Sequence, residues 1–171
     1  MNVYQTKNLS LSAFFIAIGL ILPIATHSIG ASTMLLPMHL TVILAACILP
    51  LHFSILVGSL TPILSTLITG MPPLFPVLPF MFFELITYAI VVNILYFQMK
   101  KNIYIALIIS MIIGRFISGI IVWILTTIFM AQLPNPIFFI ATGVIQGIPG
   151  ILIQLVFIPS ILYGLKKSLL V

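Results

Sequence analysis

From Leu9 to Leu165 the chain is a near-continuous series of apolar segments, each about as long as one bilayer crossing and separated by short breaks rich in Pro, Gly or Lys. This feature limits the fold more than any other. A chain with 4% charged residues and 63% hydrophobic residues cannot cover a water-facing surface, for which about 25% charge is usual. The class is therefore an all-α integral membrane protein. No polar stretch is long enough for a separate soluble part, so residues 1–171 are expected to form one domain.

Four spans are clear: Leu9–Ala25, Val77–Gln98, Ile103–Met130 and Ile137–Leu165. The stretch Leu35–Thr69 is ambiguous. As one helix it would be about 52 Å long, too long for a hydrocarbon core of about 30 Å. Pro50, Leu51 and His52 offer a break, which gives two short spans, Leu35–Leu49 and Phe53–Thr69.

The lysines decide between five and six spans. With six, Lys7, Lys100–Lys101 and Lys166–Lys167 all fall on one side; with five they are split. The positive-inside rule selects six helices with both termini cytoplasmic. Lys7 followed by an apolar run also has the form of a signal peptide. A retained first helix is expected instead, because its loss would leave an odd number of spans. The predicted outer loops are His27–Met34, Gly70–Pro76 and Ala131–Pro136, none formally charged. In "GMPPLFP" and "AQLPNP" proline fixes φ and makes the turns stiff.

The formal charge of +5 sits at the edges of spans, as topology signals do, and does not point to nucleic acid. Cys47 is alone in an apolar run, so neither a disulfide nor a thiolate metal site is expected. No phosphate-binding loop, H-E-x-x-H or hydrolase motif occurs, which argues against an enzyme and against ATP hydrolysis by this chain alone. No cofactor or metal is implied.

Two formal charges lie within spans. Glu84, the sole acidic residue, stands in "PFMFFELITYAIV", and Arg115 in "SMIIGRFISGIIVW". On the six-span topology Glu84 is about 10 Å below the outer surface and Arg115 about 12 Å below it. Each charge costs about 2.5–3.5 kcal/mol at mid-bilayer on insertion scales. Pairing of Glu84 with Arg115 between consecutive helices is therefore expected, either as architecture or as the floor of a binding pocket. Tyr88 lies one turn below Glu84. Gln146, His39 and His27 fall at similar or shallower depths. Trp123 is placed as an interface anchor or as a stacking wall. These residues predict a polar-rimmed pocket in the outer half, among the fourth, fifth and sixth helices. The inner half offers Asn93 and Gln154 but no charge that would continue a path.

Small residues recur four apart: Ala13 and Ala17, then Ser110, Gly114 and Ser118, then Gly143 and Gly147. Such spacing lets helices approach closely in lipid. In the first helix the small face could equally meet a partner protein. Pro149, in "GIPG", removes a backbone donor and is compatible with a kink.

Taken together, "LLPMHLTVILAACILP", "GMPPLFPVLPFMFFELITYA", "GR" at 114–115, "GIPGILIQLVFIPSIL" and the Ala13/Ala17 pair resemble the S component, or substrate-binding subunit, of an energy-coupling factor transporter. The resemblance covers essentially the whole chain and is most specific over Leu35–Ala89. It implies a six-helix bundle in the bacterial plasma membrane that captures a water-soluble vitamin or precursor from outside. It also implies docking, through Ala13 and Ala17, on a transmembrane scaffold subunit that carries two ATPase subunits. The bound subunit is then thought to topple in the bilayer. Ala89 stands where the family commonly has glycine. A stand-alone secondary carrier or channel is the alternative, and the ligand stays open between a carboxylate that meets Arg115 and a neutral molecule.

Overall fold

A computed structural model describes residues 3–28, 36–129 and 135–168. It contains six α-helices: α1 (Val3–Ser28), α2 (Pro37–Ile48), α3 (Leu51–Thr69), α4 (Val77–Val92), α5 (Ile103–Thr127) and α6 (Pro136–Ser168). A π-helical segment, Asn93–Gln98, continues α4 to the end anticipated for that span. Five helices are long and apolar enough to cross a membrane.

The second helix is the exception. At 12 residues α2 is about 18 Å long, too short to cross alone. It need not reach both headgroup layers, because ten of its residues are buried and it packs against α1, α3, α4 and α6. A helix that is apolar all round belongs inside a bundle. Its end at Leu49–Pro50 leaves carbonyls without helical partners at membrane depth, and Asn93 supplies the donors. Nδ2 of Asn93 donates to the carbonyls of Ala46 (2.9 Å) and Leu49 (2.7 Å), and Ser54 Oγ also donates to Leu49 (3.2 Å). Irregular backbone survives in a bilayer where protein satisfies it in this way. Asn93→Leu is expected to cost about 1–2 kcal/mol by orphaning these carbonyls, read as a lower melting temperature in micelles.

The helices alternate in direction. The start of α2 lies beside the N-terminal half of α4 (His39 near Glu84), and its end lies beside Asn93. From there α3 returns, so that Ser65 and Thr66 meet the carbonyls of Met71 (2.6 Å) and Pro72 (2.7 Å). The bundle thus has one end formed by Lys7, the Lys100–Lys101 turn and the C-terminal end of α6. The 70–76 loop marks the other end.

Glycine governs the closest helix approaches. A Cβ on Gly58 of α3 would lie 3.1 Å from the Leu85 carbonyl oxygen and 3.2 Å from the Ala89 Cβ. The close contact at Ala89 is therefore kept, with the glycine on the opposing helix. In α5, a Cβ on Gly114 would strike the Tyr88 ring. Helix α6 runs on through both Pro149 and Pro159.

Candidate functional site

In the half of the bundle nearest the 70–76 loop, three side chains converge on one carboxylate. Glu84 is 2% exposed. Its Oε1 lies 3.3 Å from Nη1 of Arg115 and 3.7 Å from Nε2 of His39. The Tyr88 hydroxyl donates to the same oxygen at 2.8 Å. The expected pairing of Glu84 with Arg115 is present, and His39 comes from α2 to complete the cluster.

Local geometry explains why these groups meet. Glu84 and Tyr88 are four residues apart, hence on one face of α4. Gly114 and Arg115 are adjacent on α5, and the bare Gly114 backbone admits the Tyr88 ring against that helix. The Tyr88 ring is tilted against His39 with centroids 5.4 Å apart. On the far side, α6 presents Gly143 and Gly147. A Cβ at Gly143 would come within 3.2 Å of Arg115 Nη1, and one at Gly147 within 3.6 Å of Nη2. The spacing that usually brings two helices together here forms a slot for a guanidinium.

Above the cluster lies a cavity of about 840 Å³, within the range of small-molecule sites. Glu84, Arg115 and His39 are at its floor, and Gln146 lines it from α6. Phe80 and Phe139 form a wall, edge to face with centroids 4.9 Å apart. Ser65, Thr69 and the Met71–Pro73 turn line its other end. The pocket expected among α4, α5 and α6 is also walled by Pro23 and Ile24 of α1, by α2 and by α3. Ser65 and Thr69 were not singled out from the sequence, although their four-residue spacing at the C-terminal end of α3 places them on one face.

Some anticipated residues fall elsewhere. Tyr88 stands behind Glu84 and faces a smaller chamber of about 380 Å³ that ends at Gln154. Trp123 is 57% exposed on the outside of α5 and lines neither cavity, so it is not brought to the cluster. The side chain of His27 lies outside the described residues. Ala13 and Ala17 are exposed on the outer face of α1, opposite the buried Ser12 and Phe15.

A closed bundle of apolar helices with a charge-neutral polar floor beneath a roomy cavity defines a membrane-embedded solute-binding protein. The chain belongs to the substrate-specific component family of ECF transporters: the model described as "ECF transporter, substrate-specific component" matches residues 7–168. It is thus a transporter subunit of the cell membrane rather than an enzyme, and it works with an ECF module. Neither curated proteins nor solved structures yielded a match.

Proposed function

We propose that this chain is a single-domain S component that captures a water-soluble vitamin or vitamin precursor from outside the cell. It hands the ligand inward with a transmembrane scaffold subunit and two ATPase subunits. The observation that carries this reading is the position of the Glu84–Arg115–His39 cluster. It lies at the floor of an 840 Å³ cavity, at the end of the bundle opposite Lys7 and Lys100–Lys101. The positive-inside rule puts the lysine end in the cytoplasm, so the cavity faces outward. Glu84, Arg115, His39 and Gln146 contact the ligand in this reading, and Tyr88 holds Glu84 from behind.

The bonding of the polar groups around Asn93 in the lower half supports binding over conduction. Asn93, Ser54 and Gln98 there bond to one another and to backbone, forming a structural knot (Asn93 Nδ2 to Ser54 Oγ, 3.2 Å; Gln98 Nε2 to Asn93 Oδ1, 3.1 Å). Energy must then come from a partner. The exposed Ala13 and Ala17 offer a face on which another helix can pack closely.

Affinity purification of the tagged chain from its native membrane is expected to recover a scaffold protein and two ATPase chains. Replacing Ala13 and Ala17 with Leu is expected to reduce that recovery about tenfold or more, the effect of losing about 1.4 kcal/mol of association energy. The melting temperature of the isolated chain should be unchanged. Uptake by proteoliposomes containing this chain alone would instead make it a self-sufficient carrier.

A further inference from the structure

The polar groups around the large cavity differ with height: the hydroxyls near the top have given their hydrogens away, while the floor keeps N–H donors beside the Glu84 carboxylate. A hydroxyl has one hydrogen to give. At the top, Ser65 gives its hydrogen to the Met71 carbonyl at 2.6 Å, and Thr69 to the Ser65 carbonyl at 2.7 Å. On α6, Thr142 gives its hydrogen to the Phe138 carbonyl at 2.8 Å. These three residues line the cavity with lone pairs alone left to offer, and Thr69 Oγ1 already accepts from the Met71 N–H at 3.2 Å.

The floor still has donors to offer, beside the Glu84 carboxylate and a His39 ring whose two nitrogens have no hydrogen-bond partner among the described residues. Arg115 carries five N–H donors, and among the described residues its ion-pair partner is Glu84 at 3.3 Å. The Gln146 amide on the adjoining wall adds further donors. The guanidinium charge, however, is already matched by Glu84. Among the described lining residues no other formal charge is present. Between floor and top the wall is Phe80, Met81 and Phe139.

Resting on the S-component reading, we propose that the ligand is a neutral, ring-sized molecule of opposed polarity. A carbonyl or ring-nitrogen acceptor at its inner end takes the free donors of Arg115 and Gln146. A ring or other apolar body lies against Phe80 and Phe139. O–H or N–H donors at its outer end meet Ser65, Thr69 and Thr142. A carboxylate at the inner end is disfavoured, because it leaves one unmatched charge inside a hydrocarbon-walled site.

The test is a thermal-shift and titration panel on the purified wild-type chain, using neutral compounds paired with their carboxylates: pyridoxine with 4-pyridoxate, nicotinamide with nicotinate, and pantothenol with pantothenate. The neutral member of one pair is expected to bind on the order of a hundredfold more tightly than its carboxylate, the ratio set by the burial cost of one unmatched charge. Glu84→Gln strips the floor of its counter-charge and should reverse that preference, while Thr69→Val and Thr142→Val weaken both members alike. Tighter binding of a carboxylate by wild type, or no binding of either member of any pair, overturns the proposal. Co-purification of the scaffold and ATPases is scored separately, so this assignment can fail while the S-component reading stands.

Discussion

Arg115→Ala is expected to be among the most damaging single changes in this protein, lowering stability by about 3–5 kcal/mol and abolishing measurable ligand binding. The reason is what it leaves behind. Glu84 is fully enclosed, and its nearest cation is the guanidinium 3.3 Å away. Without that partner the buried carboxylate keeps the Tyr88 hydroxyl and the His39 ring beside it but loses the guanidinium that matches its charge. Deleting both members of the pair is a different case, since well-packed apolar replacements for a buried ion pair are often neutral or stabilising. The double variant Glu84→Leu, Arg115→Met should therefore regain most of the lost melting temperature. If the cluster is the floor of the binding site, binding stays absent in that refolded double variant. Recovery of binding together with stability would reduce the pair to architecture.

A second large effect is expected from the smallest possible change, Gly114→Ala. The added methyl would strike the Tyr88 ring, and that ring can shift only by giving up its present contacts. It is nearly fully buried, tilted against His39, and tied through its hydroxyl to Glu84 at 2.8 Å. Overpacking of this kind costs about 1–3 kcal/mol. The displacement also turns Tyr88 away from Glu84, which loosens the carboxylate relative to Arg115. Affinity for whichever compound best stabilises wild type is expected to fall by about tenfold, for a loss near 1.4 kcal/mol. Combining Gly114→Ala with Tyr88→Leu tests the mechanism, because the smaller side chain removes the collision. The double variant should cost less than the sum of the single changes, as for other residues in direct contact. Simple additivity would mean that Gly114 acts through something other than the ring.

Much of the fold was legible because lipid is an unforgiving solvent. Helices of the right length, their breaks at proline and the placement of lysines at one end follow from composition and spacing alone. The meeting of Glu84 and Arg115 was legible for the same reason: two isolated charges in hydrocarbon must find each other, and their depths agreed. The length of α2 was not. Its apolar run continues to the limits of a span, and only its enclosure by α1, α3, α4 and α6 shows that it has no need to reach the bilayer surfaces. The hydroxyls of Ser65 and Thr69 were equally hard to read, since Ser and Thr in membrane helices usually bond back to their own backbone. Nothing in the local sequence distinguishes those that also face a cavity.

By itself, then, the sequence determined that this protein lives in a bilayer, that its helices alternate, and that a lone carboxylate must be answered by a lone guanidinium. These are consequences of solvation, which acts on each segment separately. Only the tertiary structure decided that Gly143 and Gly147 cradle Arg115 rather than a helix backbone, that Gly58 stands in for a glycine at position 89, and that Trp123 points outward. Those outcomes depend on how helices are rotated about their axes against their neighbours. That rotation is set by side-chain packing across elements distant in sequence, which no single segment encodes.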